Sequence, residues 1–314
     1  MGDVPLAVGG EPSLAVANAA PLAVAGEVSL AVAAKASAEN FPVALRVLPS
    51  GLRQHLVAYY GFARLTDDLG DEPLPGITGV ASAHDEQKIR LRLLDDLEAD
   101  VATIYQPGGM PELPAIAELG KTVKATGIPL QLLADLIQAN RQDQLVTRYD
   151  TFADLVRYCE LSANPVGRVV LYIVGAPTPE RLELSDKVCT ALQLVEHWQD
   201  VAEDLRNGRV YLPQDDLEKY GVTEDDLAQP TASGCVRDLL TFEVKRAADL
   251  LDEGALLVGS LHGFARVAIA GYVAGGRAAL KAIRDAGYDV LKTTPKPGKV
   301  ATLAGLASCY ARGR

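Results

Sequence analysis

The sequence predicts an all-α protein: one helical bundle around an apolar cavity. Three observations predict it. Hydrophobic residues make up 48% of the chain but aromatics only 5%, so the apolar content is Ala, Val and Leu, which suits close-packed helices better than sheets. Apolar residues recur at helical spacing from about residue 52 onward. Period-two runs and strand–Gly-loop–helix units are missing; Gly275-Gly276 does not fit the dinucleotide fingerprint, and no Walker-type loop occurs.

Each element can be justified in order. Leu52, Leu56, Tyr60, Ala63 and Leu65 give the first helix its apolar face, and Pro73 and Pro75 stop it. Residues 84–105 repeat the pattern through Ile89, Leu93, Leu94, Leu97 and Val101, ending at Pro107-Gly-Gly109. Shorter helices are expected at 111–126 and 129–141. A longer one starts at Thr151, a good N-cap, with a kink where Ser162-Ala-Asn-Pro-Val-Gly167 combines Pro and Gly. Helices over 179–207, 231–258 and 261–288 complete a single domain at 37–295, with a tail or short helix at 296–314.

Residues 1–36 stand outside this pattern. Pro5-Leu-Ala-Val-Gly-Gly-Glu-Pro-Ser-Leu-Ala-Val16 recurs, lightly varied, at 21–32. Asp3 occupies the place of a basic signal-peptide region, and Pro5, Glu11, Pro12, Pro21 and Glu27 break every apolar run short of the roughly 20 residues a bilayer span needs. A disordered extension is expected, with an arm that touches a membrane or partner as the alternative.

The net charge of −11 excludes a general nucleic-acid binder, yet it permits diphosphates bridged by a divalent metal. Cys159, Cys189, Cys235 and Cys309 form no CxxC pair, so reduced thiols and a cytoplasmic location are expected. The four histidines form no ligand pair and read as surface or helix-capping residues, and Trp198 as packing.

Two acidic clusters carry the chemistry. Asp67 and Asp71 are i and i+4 on a helix, with Tyr60 and Arg64 on the same stripe. Asp200 and Asp204 repeat that spacing, preceded on their face by Glu196 and Gln193 and followed by Arg209 and Tyr211. Each cluster interrupts an apolar segment, so both faces are expected to point inward. Facing carboxylate pairs on helices suit Mg²⁺, which takes one or two carboxylates plus phosphate oxygens and water. The chemistry expected is metal-assisted ionisation of a carbocation-forming diphosphate in an apolar cavity.

These residues resemble the squalene/phytoene synthases, an all-helical isoprenoid-synthase family. Tyr60-Gly-Phe-Ala-Arg64-Leu-Thr-Asp67-Asp-Leu-Gly-Asp71 is similar to its first aspartate-rich motif, and Asp200-Val-Ala-Glu-Asp204-Leu-Arg-Asn-Gly-Arg209-Val-Tyr211 to its second. Tyr158-Cys-Glu-Leu-Ser-Ala-Asn-Pro-Val-Gly167 resembles its kinked, cavity-lining helix. Glu39-Asn-Phe-Pro-Val-Ala44 and Glu196-His-Trp-Gln-Asp200 resemble the bacterial branch of hopanoid biosynthesis that makes hydroxysqualene. Glu196 and Gln199 replace an Asn and an Arg frequent elsewhere in the family.

The resemblance implies that presqualene diphosphate loses diphosphate and the cation is quenched by water. A related synthase would supply the substrate and a flavoprotein would reduce the product. It implies Mg²⁺ held by Asp67, Asp71, Asp200 and Asp204, with Glu196 as a further ligand, while Asp68 and Glu203, about 100° round the helix from their neighbours, support rather than ligate. Arg64, Arg209, Tyr211 and Gln193 would grip the diphosphate, with Asn40 from the opposite lip. Phe41, Tyr60, Tyr158, Ala163, Val166 and Leu192 would line the cavity; for Tyr158, plain packing is an equal reading. One of Tyr272, Arg277, Tyr288 and Lys292 would close over the diphosphate. NADPH is not expected. Peripheral membrane contact is, because such substrates are very apolar.

The alternatives are a squalene, dehydrosqualene or phytoene synthase that condenses two prenyl diphosphates such as farnesyl diphosphate, a head-to-tail prenyltransferase or terpene cyclase, and an inactive helical scaffold.

Overall fold

The computed structural model describes residues 25, 49–72, 74, 83–297 and 299–314. Asn40, Phe41 and the N-terminal repeat apart from Ala25 lie outside the described residues. The helices are α1 (Ser50–Asp71), α2 (Ala83–Thr103), α3 (Pro114–Thr126), α4 (Leu130–Asp143), α5 (Phe152–Ser162), α6 (Asn164–Ile173) and α7 (Pro179–Gln199). They continue as α8 (Val201–Arg206), α9 (Gln214–Tyr220), α10 (Glu224–Leu227), α11 (Gly234–Gly254), α12 (Leu257–Ser260), α13 (Gly263–Asp285) and α14 (Lys299–Arg312). No strand occurs among the described residues; the nearest to one is an isolated bridge between Arg148 and Val210.

Two apolar clusters meet at α6. One joins α1 to α4 through Phe62, Leu65, Leu97, Leu133 and Ile137, with Val169 and Ile173 of α6. The other surrounds α7 and takes Leu171 from the opposite face of α6. The central α7 packs against α5, α6, α11 and α13. It is therefore buried around most of its circumference, as Val188, Ala191, Leu194, Val195 and Trp198 show. Gly254 makes the close approach of α11 possible: a Cβ there would sit 2.7 Å from the Val188 backbone nitrogen.

Local chemistry accounts for the breaks. Thr151 forms a full capping box with Asp154 at the start of α5. The expected kink falls at Ala163, just before Asn164-Pro165, because proline has no N–H for the ladder. The expected helix over 179–207 is instead two, α7 and α8, hinged at Asp200 (φ −105°, ψ 15°). One turn of bonding survives across the hinge: the Asp200 carbonyl accepts the N–H groups of Glu203 and Asp204, each at 2.8 Å. Neither Pro nor Gly marks this break; Asp is a residue that favours helix ends over interiors.

After α8 the chain runs beside the segment that follows α4. Val210 N–H donates to the Thr147 carbonyl and Gln214 N–H to the Tyr149 carbonyl, both at 2.9 Å. This pairing fixes Arg209 and Tyr211 over the end of α4.

Candidate active site

The first acidic cluster lies on unbroken α1 and neutralises itself in part. Arg64 Nε reaches Asp68 Oδ1 at 2.7 Å, and its Nη atoms reach Asp67 at 3.7 Å and Glu72 at 3.2 Å. Arg64 is thus ion-paired within its own helix and with the residue just after it. Asp68 is buried. Tyr60 acts electrostatically on Arg64, and its ring lines neither of the cavities described below. Arg90, which sequence reasoning missed, donates to the Leu69 and Glu72 carbonyls (3.0 and 3.1 Å) and so secures the end of α1.

The second cluster lies at the α7–α8 hinge. Loss of hydration and the charges of Asp200 and Asp67 raise the Glu196 carboxyl above the usual range. Asp67, one of the charges that raise Glu196, belongs to α1 and so to the other cluster. Asp67 is raised too, by lost hydration and then by Asp71. Asp204 is pushed up to about 7 by desolvation and by Asp200, with Arg209 opposing. Arg209 joins the clusters directly: its Nη2 lies 2.9 Å from Asp71 Oδ1.

A third segment closes over the hinge. Thr294 hydrogen-bonds Asp200, and Lys296 lowers its pKa against the raising effects of burial and Glu203. The Gln199 amide donates to the Pro295 carbonyl and ties this loop down. Neither Thr294 nor Lys296 was legible as a site residue. Of the four late candidates, Tyr272 lines the apolar cavity instead, and Arg277 is bound to Asp252 at 2.6 Å.

Two cavities meet at Leu192 and Glu196. A polar vestibule of about 490 Å³ is walled by Glu196, Asp200, Glu203, Thr294 and Lys296. A mostly apolar cavity of about 220 Å³ continues from it past Ala163, Val166, Gly167, Gln193 and Tyr272. Tyr158 stands elsewhere, in an aromatic wall with Tyr149 and Tyr211 (centroids 5.4 and 6.0 Å away). Its hydroxyl donates to Asp143 Oδ2 at 3.0 Å.

His197 corrects the expectation of a surface or capping role. It is buried, its ring stacks 3.6 Å from Tyr211, and its Nε2 accepts from the Gln193 amide at 3.2 Å. Burial and Arg209 push its pKa down to about 3, so the imidazole is neutral. The other histidines do lie outside the site: His55 bonds Thr122, His84 is exposed, and His262 sits at the N-cap of α13 without a capping side-chain bond.

The donor set fits a divalent cation by charge. Asp67, Glu196, Asp200 and Asp204 all have carboxyls raised first by lost hydration and then by neighbouring carboxylates, a repulsion that a cation relieves. Among the described residues no three acidic, His or Cys side chains gather tightly enough to form a metal cluster alone.

Known proteins are similar to this chain in sequence and in fold. The squalene/phytoene synthase family model matches residues 34–301. A hydroxysqualene synthase of Rhodopseudomonas palustris is 33% identical over 72% of each chain. A phytoene synthase of Arthrospira platensis is 30% identical over 72% of this chain and 73% of its own. The crystal structure of squalene synthase HpnC from Alicyclobacillus acidocaldarius superposes with a TM-score of 0.73 at 37% identity, covering 83% of this chain and 95% of that one. A dehydrosqualene synthase structure, at 22% identity and a TM-score of 0.76, shows the same fold. With motifs, fold and facing acidic clusters in agreement, the chain belongs to the squalene/phytoene synthase family, whose members are isoprenoid diphosphate-processing enzymes.

Proposed function

We propose that the protein is a hydroxysqualene synthase acting on presqualene diphosphate. The carrying observation is the 2.9 Å ion pair of Arg209, which follows the second motif, with Asp71 of the first; with Glu196 lining the apolar cavity, it supports one diphosphate site between the two motifs. Identity to hydroxysqualene synthases supports the substrate.

Asp67, Asp71, Glu196, Asp200 and Asp204 would hold Mg²⁺, which when bound neutralises the leaving group's charge. The C–O bond to diphosphate breaks with its electron pair leaving on oxygen. Lys296 and Arg209 stand where they can take phosphate oxygens. Ala163, Val166 and Leu192 pack the hydrocarbon away from water. A water oxygen then forms the new C–O bond, and its proton passes to the released diphosphate. Val166 and Tyr272 reach from the cavity to the surface (38% and 56% exposed), which supports peripheral contact with a membrane that supplies apolar substrate. No helix among the described residues is long and apolar enough to cross one.

The second reading, condensation of two prenyl diphosphates, draws on the similarity to a phytoene synthase. Mass spectrometry of products from presqualene diphosphate and from farnesyl diphosphate, each with Mg²⁺, separates the two. Hydroxysqualene from the first substrate alone is expected. Efficient presqualene diphosphate or C30 hydrocarbon from farnesyl diphosphate would overturn the assignment.

A further inference from the structure

We propose that Asp143 is a positioning residue of this site, holding the Tyr158 hydroxyl and centring Arg209 for the diphosphate. The inference rests on the site reading given above and adds a residue that neither aspartate-rich motif contains.

Asp143 is the last residue of α4. Its Oδ2 accepts the Tyr158 hydroxyl at 3.0 Å, while its Oδ1 is buried and accepts no hydrogen bond. A buried carboxylate oxygen without a donor is costly and persists where something else requires it. Arg209 supplies the reason. Burial disfavours the charge of Arg209, yet the Asp71 hydrogen bond and the charges of Asp71 and Asp143 oppose that. The guanidinium therefore stands in the field of three carboxylates: Asp71 of α1, Asp143 of α4 and Asp204 of α8.

The backbone supports the same geometry. The Val210 N–H to Thr147 carbonyl bond ties the residue after Arg209 to the segment four residues beyond Asp143. Tyr158 is held in turn by Tyr149 and Tyr211. Desolvation pushes Asp143 up to about 6, with Arg209 and the Tyr158 hydrogen bond opposing and Asp71 and Asp67 adding to the rise. So Asp143 senses both the first motif and the arginine of the second.

Charge alone and positioning predict opposite signs for Asp143→Asn. Removing a negative charge near an anion site should tighten diphosphate binding. Losing the group that centres Arg209 should weaken it. Calorimetric titration of inorganic diphosphate in saturating Mg²⁺ reads the difference in the full chain. We expect Asp143→Asn to weaken binding about tenfold, the scale of one interaction with a charged group. The effect should largely vanish in an Arg209→Met background.

Tyr158→Phe, which deletes one hydroxyl, should weaken binding about threefold and carries the test if Asp143→Asn does not fold. Equal or tighter binding by Asp143→Asn, or by Tyr158→Phe if that variant carries the test, overturns the inference while leaving the functional reading standing. A wild type that binds no diphosphate overturns both.

Discussion

The two acidic motifs share a spacing but not an electrostatic design. Asp67 and Asp71 ride a continuous helix with their own counterion, since Arg64 reaches Asp67, Asp68 and Glu72. Asp200 and Asp204 flank a hinge, and their cations arrive from elsewhere: Arg209 from the following segment and Lys296 from the loop before α14. Residual charge is accordingly concentrated at the second motif, where Asp204 is pushed up to about 7. The i, i+4 pattern thus says which carboxylates can meet, whereas tertiary structure decides how much unneutralised charge a metal finds there.

The largest expected effect comes from removing either motif. Asp67→Ala and Asp200→Ala should each lower product formation at least about 100-fold, since a bound metal supplies several kcal/mol of charge stabilisation. Equal activity in either variant, measured by product chromatography, would break the pairing of the motifs.

Arg209→Met comes next. It removes the ion pair that joins them among the described residues, so we expect roughly a tenfold loss in kcat/KM for the proposed substrate, presqualene diphosphate, from about 1.5 kcal/mol for a charged hydrogen bond.

The pH dependence sharpens the comparison further. A carboxyl raised on folding binds its proton more tightly in the native state, so its contribution to stability declines as pH rises. For Asp204 that window runs from the ordinary carboxylate value of 3.8 to about 7. Thermal midpoints in EDTA should therefore fall less between pH 4 and 7 in Asp204→Asn than in the wild type. An identical slope would contradict the raised Asp204.

The smallest functional effect is expected from Gly254→Ala. The added Cβ meets Val188 of α7, at 2.7 Å from its nitrogen, costing about 1–3 kcal/mol of stability. Activity per folded molecule should hold, because the hinge lies twelve residues beyond Val188. Calorimetry paired with an activity assay checks both statements.

What the sequence made legible was local. Thr151 announces a cap, Pro165 a break, and the aspartate spacing a shared face, since each depends on neighbours within a turn or two. Asp143, Arg90, Thr294 and Lys296 carry no local signal; α4, α2 and the loop before α14 bring them to the site only by packing. The burial of His197 escaped for the same reason, as its partner Tyr211 arrives after the hinge. The hinge itself lacks Pro or Gly, so helical periodicity ran through it.

The central claim is that two motifs on separate helices make one cation and diphosphate site. Calorimetric titration of Mg²⁺ in the presence of inorganic diphosphate tests it most directly, with wild type, Asp67→Asn, Asp200→Asn and the double variant. The account predicts that each single change weakens Mg²⁺ binding about tenfold or more, and that the double change falls short of the summed effects, as coupled groups do. Wild-type binding in either single variant, or fully additive losses, would contradict it.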